Sequence, residues 1–421
     1  MRMQRPLFAR VGLSAIAVVI GTTAATTMSH AGGFAIREQS ASSQGASFAG
    51  SAAGFDLSSM YWNPAAVTSK DGMNSESHVS VILGSLKLTS EGGAIDGLGI
   101  GDKSGQLADP ALVSTSYFNY QMGDVYFGVS LNAPYGLTTK PENNWDGQVL
   151  GYTSKLLTIN AAPTVGYKIM PGVAVAVGVQ VQYIDTRLTT LTGTAVDAVN
   201  VEGDDIGFGF TAGVLLEPTK STKIGLGFRS SVSHTLEGEQ DNALGSSDIE
   251  ADVDLPELVT LSLRQDLTNK LTFLGTVEWT NWSRVQTIDI VCTGVDGAAC
   301  QNEGDTLNTL SLNYDDGWFF AAGLEYAYSP TLLLRTGIAY EISPAREDTS
   351  RTVRLADNDR LWVSVGATYN WSANTAIDFS YTHIFVEDGK INQTDENSGA
   401  DLIADADAHV DIISASVKMK W

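Results

Sequence analysis

Five histidines, two cysteines and a thin scatter of arginines and carboxylates are the residues of this 421-residue chain with the most chemistry in them. The histidines are His30, His78, His234, His383 and His409, and none stands at HExxH or other paired-ligand spacing. Cys292 and Cys300 have no histidine nearby, so no metal is expected there. Two cysteines this close, in an exported protein, are expected to form a local disulfide. There is no G-x-S-x-G elbow, and His383 beside Thr382 is the nearest approach to a hydroxyl–imidazole pair. Asp401, Asp405 and Asp407 offer oxygen ligands for a divalent cation, but solvated loop charge is the simpler account. Gly207-Phe208-Gly209 and Gly225-Leu226-Gly227 have no helix after them and are strand glycines, not phosphate loops. No catalytic residue, metal or cofactor is expected, and an enzyme is disfavoured.

The arginines are more promising. Arg229 lies between Phe228 and Ser230; Arg335 and Glu341 lie opposite the Leu332–Ile338 face of their segment; Arg264 and Glu278 fall on matching faces. A guanidinium can grip a carboxylate in two-pronged geometry. It can equally pair with a neighbouring glutamate and brace the fold, which is the favoured reading for any one of them. The choice depends on the elements that carry them.

Composition limits those elements. The chain has 25 Lys+Arg against 48 Asp+Glu, a net charge of −23, which argues against a nucleic-acid partner. With 43% hydrophobic and 17% charged residues it is not a disordered acidic chain. A mean hydropathy of +0.00 is too polar for a bundle of membrane helices. It suits a barrel with a polar lumen and an apolar outside, and a soluble sandwich as well.

The first thirty residues give the address and leave a periplasmic, a secreted and an outer-membrane protein open. Arg2, Arg5 and Arg10 precede an apolar run, Val11–Gly21, and Ser29-His30-Ala31 offers small residues to a signal peptidase. A secretory leader, residues 1–31, is expected, with cleavage after Ala31. The apolar run is about half of the roughly 20 residues that a spanning helix needs.

From residue 75 onward the pattern is strand-like. Val173, Val175, Val177, Val179, Val181 and Tyr183 share one face, with Ala174, Ala176, Gly178, Gln180 and Gln182 on the other. Leu361, Val363 and Val365 alternate in the same way with Trp362, Ser364 and Gly366. The runs last roughly 10–15 residues, long enough for tilted strands to cross a bilayer. We read segments at 76–89, 112–121, 124–134, 152–168, 172–190, 205–217, 222–236, 251–265, 270–284, 315–328, 331–343, 359–371, 374–387 and 409–421. Short linkers such as Met122-Gly123 and Ser329-Pro330 alternate with long polar ones at 90–111, 135–151, 191–204, 237–250, 285–314, 344–358 and 388–408. That parity belongs to an outer-membrane barrel of about 14 strands, with tight periplasmic turns and long outer loops. A Greek-key sandwich has no reason to keep it. The last strand ends on Trp421, resembling the terminal aromatic signal that the barrel-assembly machinery reads, where phenylalanine is usual. Residues 32–74 differ: small residues are interleaved with Phe34, Phe48, Phe55, Met60, Tyr61 and Trp62, too many apolar anchors for a solvated tail. We expect this segment to fold inside the barrel, residues 75–421, as a hatch or plug.

Several motifs, in order and spacing, resemble the FadL-type outer-membrane transporters over essentially the whole mature chain. They are Gly33-Phe34, Asn63-Pro64-Ala65, Phe228-Arg229-Ser230, Trp279-Thr280-Asn281-Trp282-Ser283, Arg335-Thr336-Gly337-Ile338-Ala339-Tyr340, Ser343-Pro344 and Asp359-Arg360-Leu361-Trp362. The resemblance implies uptake of long-chain fatty acids or other hydrophobic small molecules across a membrane of lipid and lipopolysaccharide. Aromatic or alkane hydrocarbons are the alternative ligands, and a general porin or adhesin is a more distant one. It also implies an apolar pocket in the barrel and sideways exit through a break in the third strand, here Asp124–Pro134. Pro134 cannot donate to a strand ladder, which is compatible with a break. On this reading Phe34, Asn63, Pro64, Ala65, Pro134, Arg229, Arg335 and Glu341 are the candidate ligand-binding or gating residues. The segment Gly32–Ile36 is expected to touch the pocket and move to release ligand.

Overall fold

Alternation of apolar and small or polar side chains makes two-faced strands, and here those strands close on themselves. The computed structural model describes residues 32–96, 98–107, 110–142, 144–192, 197–243, 245–295, 299–395 and 399–421. The expected leader, residues 1–31, lies outside the described residues. Among those described, no helix is long and apolar enough to cross a membrane. The crossing is made by a closed antiparallel barrel of 14 strands.

The first staves are β1 (Met73–Gly92), extended by a short partner β2 (Ser104–Leu107), then β3 (Ala111–Met122) and the two-part β4 (Val125–Asn132) and β5 (Gly136–Thr139). Next come β6 (Thr153–Met170), β7 (Val173–Thr192) and β8 (Asp197–Thr219). Three further two-part staves follow: β9 (Thr222–Arg229) with β10 (Val232–Asn242), β11 (Gly245–Leu255) with β12 (Leu258–Asp266), and β13 (Leu271–Thr280) with β14 (Thr287–Cys292). β15 (Thr306–Ser311) and β16 (Gly317–Ser329) form the tenth stave; β17 (Leu332–Ile342), β18 (Arg360–Asn370) and β19 (Thr375–Val386) follow. β20 (Gly389–Thr394) pairs with β21 (Asp401–Lys420), and β21 returns to β1. In β1, His78 stands opposite Thr115 on one side and Ser416 on the other, which closes the ring.

The strand faces sort as the alternation requires. Gln180 and Gln182 are buried at 1%, whereas Val177 and Val179 are 63% and 52% exposed on the outside. Two features differ from the sequence reading. Strands run on into several expected loops: β8 starts at Asp197, β21 at Asp401, and β14 and β15 pair within 285–314. These extensions are rich in polar residues, yet the alternation continues in them: Leu402, Ala404 and Ala406 share a buried face, as do Ile290 and Cys292. Three expected single strands are also broken, at Ser230-Ser231, at Pro256-Glu257 and over 281–286, where Trp282–Arg284 makes a 3-10 turn. Pro256 has no N–H to give a ladder.

Inside the ring lies the amino-terminal segment. Ser40 caps the short helix α1 (Ala41–Gln44), its Oγ accepting from Ser43 N. Three 3-10 turns follow at Ser51–Ala53, Leu57–Tyr61 and Pro64–Thr68. The segment touches strands all round: α1 meets β18, β19 and β21, and the 3-10 turns meet β6, β7, β8, β9 and β12. Phe48 is its central anchor, its ring 5.8 Å from Trp62, 6.5 Å from Phe319 and 5.9 Å from Trp362. Glu76 accepts from Leu57 N and Ser58 N, Thr276 from Gly50 N, and Ser262 from Ala52 N.

Glycines on the inner wall permit this fit. A Cβ at Gly227 would lie 1.8 Å from Trp62 O, and one at Gly337 2.1 Å from Ala46 O. Neither neighbour is a side-chain tip that could swing away; both are backbone. Gly227→Ala is therefore expected to destabilise the folded barrel by about 1–3 kcal/mol. This would read as a lower temperature of heat-modified migration on a gel. Gly92→Ala, with nothing within 4 Å, is the control expected to be silent.

Candidate functional site

Toward the end that carries the long connections, the lumen holds a chamber of about 200 Å³. Its exposed wall is largely apolar, with Leu156, Ile184, Leu236, Ile249, Val253 and Leu355 among the lining residues. Phe34 and Tyr314 line it too. Behind Phe34 the rings pack edge to face: 4.9 Å to Trp282, 5.9 Å to Tyr135, and 6.0 Å from Trp282 to Tyr314. The connection 343–359, which contains the polar outer loop expected at 344–358, folds back so that Val353, Arg354 and Leu355 are buried.

Arg354 went unnoticed in the sequence, where it stands in Thr352-Val353-Arg354-Leu355 within that loop. It lines the chamber and is 9% exposed. Nη1 donates to Thr153 O (2.8 Å) and Ser154 Oγ (3.0 Å), and Nη2 to Thr189 O (3.1 Å) and Thr190 Oγ1 (2.7 Å). Nε has no partner, and no carboxylate of the described residues forms an ion pair with this side chain. Burial lowers its pKa to about 10, so it remains a cation at neutral pH. The chamber's Lys155 and Glu202 have partners in Asp185 and Arg187, and Glu250 is half-exposed.

The third stave is interrupted at Ala133-Pro134-Tyr135. Both halves pair with β6, but the four steps from Asn132 to Gly136 face three from Asn160 to Leu157. On its other side, pairing with β3 ends at Ser116 opposite Leu131, so Ala111–Thr115 of β3 pair with β1 alone. The stave was expected to end at Pro134; it resumes as β5 to Thr139. The chain's own amino-terminal residues fill the interruption. Ile36 N donates to Pro134 O (2.8 Å), and Gly136 N donates to Phe34 O (2.9 Å). Gln39 Nε2 donates to Ala133 O (2.7 Å), while Thr115 Oγ1 and Tyr117 OH both donate to Gln39 O. Phe34 thus faces the chamber with its ring and the lateral gap with its backbone.

Beneath the aromatic layer is a small void of about 30 Å³ bordered by Arg37, Glu278 and Glu341. Arg37 pairs with Glu278 (2.8 Å) and Glu341 (3.3 Å) and lies 3.7 Å over the Phe319 ring. The other expected site residues are elsewhere. Asn63, Pro64 and Ala65 are buried against β8, where Asn63 Oδ1 caps Ala65 N and Nδ2 donates to Ala52 O and Val214 O. Arg229 lies over the Tyr61 ring (4.5 Å), donating to Tyr61 O and Gln180 Oε1. Arg335 pairs with Glu325 (2.7 Å) and Asp378 (3.6 Å). None of these five lines the chamber. Cys292 and Cys300 are joined by a disulfide, beside the Thr293 N to Asp248 O bond that ties this loop to β11.

Residues 22–421 match the family described as outer membrane protein transport protein (OMPP1/FadL/TodX). The long-chain fatty acid transport protein of Escherichia coli O6:H1 is 25% identical, over 90% of this chain and 92% of its own length. Outer membrane protein P1 of Haemophilus influenzae is 25% identical, over 84% and 86%. Among solved structures, a Pseudomonas aeruginosa FadL homologue superposes with a TM-score of 0.85 at 20% identity, covering 92% of this chain and 99% of its own. The Pseudomonas putida toluene transporter TodX gives 0.64 at 14%, covering 87% and 94%. Taken with the closed barrel, the match over nearly the full length places this chain in the OMPP1/FadL/TodX family of outer-membrane transporters for hydrophobic compounds.

Proposed function

We propose that this protein takes up long-chain fatty acids, and that residues 32–74 act as a hatch that blocks straight passage and forces ligand out sideways. One observation carries the reading: the same residue, Phe34, borders the apolar chamber and holds the edge that fills the third-stave gap. A ligand that needs the space of the Phe34 ring must disturb that edge. Buried methylenes contribute about 0.8 kcal/mol each, so a long tail gains several kcal/mol in such a chamber without polar contacts.

A carboxylate head group is favoured by Arg354. This buried guanidinium has hydroxyl and carbonyl partners but no counter-charge among the described residues, and an anionic ligand in the chamber would supply one. Neutral hydrocarbons are the second reading, favoured by the apolar lining itself. They would leave the Arg354 charge uncompensated.

Native mass spectrometry of the delipidated protein, offered a long-chain fatty acid, toluene and an alkane, tests the ligand class. Fatty acid is expected to rebind selectively, and Arg354→Met to weaken it about tenfold, roughly 1.4 kcal/mol, while leaving toluene unchanged. Equal loss of all ligands would make Arg354 a structural clamp. Preference for toluene or the alkane would move the protein to hydrocarbon uptake.

Removing Gly32–Ile36 with insertion intact is expected to abolish fatty-acid uptake by cells, since chamber floor and gap seal go together. Unchanged uptake would sink the gating role. Intact protein is expected to show no porin-like conductance in planar bilayers, and an open channel there would revive the porin reading.

A further inference from the structure

Among the described residues, the ionic layer under the aromatic floor contains more acid than base. Arg37 and Arg360 are its guanidiniums, and Glu278, Glu341 and Asp357 its linked carboxylates. Buried Glu38 lies within electrostatic reach of Arg360. All of these side chains are less than a tenth exposed. An excess of buried negative charge is costly unless another cation joins it.

At the centre is Glu341. Its Oε2 accepts from Trp362 Nε1 (3.2 Å) and lies 3.8 Å from Arg360 Nη1. Its Oε1 accepts from Arg37 Nη2 (3.3 Å) and from the backbone nitrogen of Gly32 at 3.0 Å. The next backbone nitrogen, Gly33 N, lies 2.7 Å from Asp357 Oδ2. Gly32 is buried, and a Cβ there would stand 3.1 Å from Glu341 Oε1 and 3.5 Å from the Pro344 ring, so little larger than glycine fits. Gly32 is also the residue that follows the small-residue end of the leader, Ser29-His30-Ala31.

We infer that the mature chain begins at Gly32 and that its α-ammonium is the missing cation of this cluster, ion-paired with Glu341. Hydrolysis of the Ala31–Gly32 bond consumes one water, leaves the carboxylate on Ala31 and places a positive charge on the atom already 3.0 Å from Oε1. An amide has one N–H and no net charge; the ammonium has three donors and a full charge, so the contact becomes charge-assisted. Leader removal then does more than release the chain. It creates the group that fixes the start of the gap-filling edge, two residues before Phe34.

Reductive dimethylation of the full barrel in detergent, followed by peptide mass spectrometry, tests this. The first amino-terminal peptide is expected to start at Gly32; any other start overturns the inference. A free α-amino group titrates near pH 8 and reacts readily there. The Gly32 amine is expected to label at least tenfold more slowly, and Glu341→Gln to restore fast labelling although the amine remains equally enclosed. Labelling that is fast in the parent, or slow in both, overturns the ion pair. Should Glu341→Gln fail to insert, one alanine added between Ala31 and Gly32 moves the charge off Glu341. Fast labelling of that extended chain supports the pair, and labelling as slow as the parent's refutes it. None of these readouts depends on which ligand is carried, so failure here and failure of the transport reading are distinguishable.

Discussion

In hydrocarbon a strand can satisfy its backbone only through neighbouring strands. The closed ring follows from that constraint, and so does the significance of any place where the ring opens. Between β3 and the Ala133–Tyr135 interruption the ladder is missing, and it is made good by Phe34, Ile36 and Gln39 rather than by a wall strand. A defect repaired by the segment inside the ring differs in kind from one repaired by a neighbouring strand. The breaks at Ser230-Ser231 and Pro256-Glu257 are of the second kind. Ser230 N donates to Phe210 O, and Asn281 N to Glu257 O, both within the wall.

A wide ring also encloses space, and its polar inner face sets the terms on which that space is filled. The amino-terminal segment presents many unpaired backbone groups in its short turns, and wall side chains such as Glu76, Ser262 and Thr276 meet them. Charges are handled in two groups. Asp56, Asp378 and Lys418 tie the segment's short-turn side to β19 and β21, with Arg335 and Glu325 continuing the network. The Glu341 group does the same beneath the chamber floor. Buried ion pairs add little net stability but tolerate only one arrangement, because a misplaced partner leaves a charge stranded.

Much of this was legible in the sequence, for reasons visible in single residues. Val177, Phe208, Val365 and Phe379 face lipid, so their segments carried a clear two-residue period. The extensions 197–204 and 401–408 were read as loop because Asp, Glu and Asn crowd them, although Leu402, Ala404 and Ala406 do share one buried face. Arg229, Arg335 and Glu341 could be placed on inward faces by parity, but parity says nothing of what stands across the lumen. Glu325 and Tyr61, which engage the two arginines, come from a neighbouring strand and from the inner segment. Arg354 was invisible because its burial depends on a loop folding inward, and no local pattern encodes that.

Magnitudes indicate which part of the interior a ligand can move. The gap seal rests on three hydrogen bonds, Ile36 to Pro134, Gly136 to Phe34 and Gln39 to Ala133, each worth about 1 kcal/mol net, and on the burial of Phe34 and Ile36 at about 1.5–3 kcal/mol each. Roughly eight to eleven methylenes buried at about 0.8 kcal/mol each match that total. The body of the segment is another matter: Phe48, Trp62, Leu57 and Met60 are fully packed, and burying each such side chain contributes about 1.5–3 kcal/mol. The edge is therefore anchored by fewer buried side chains than the body. The break in the wall and the least deeply anchored stretch of the inner segment coincide, which is the arrangement that the proposed sideways release needs.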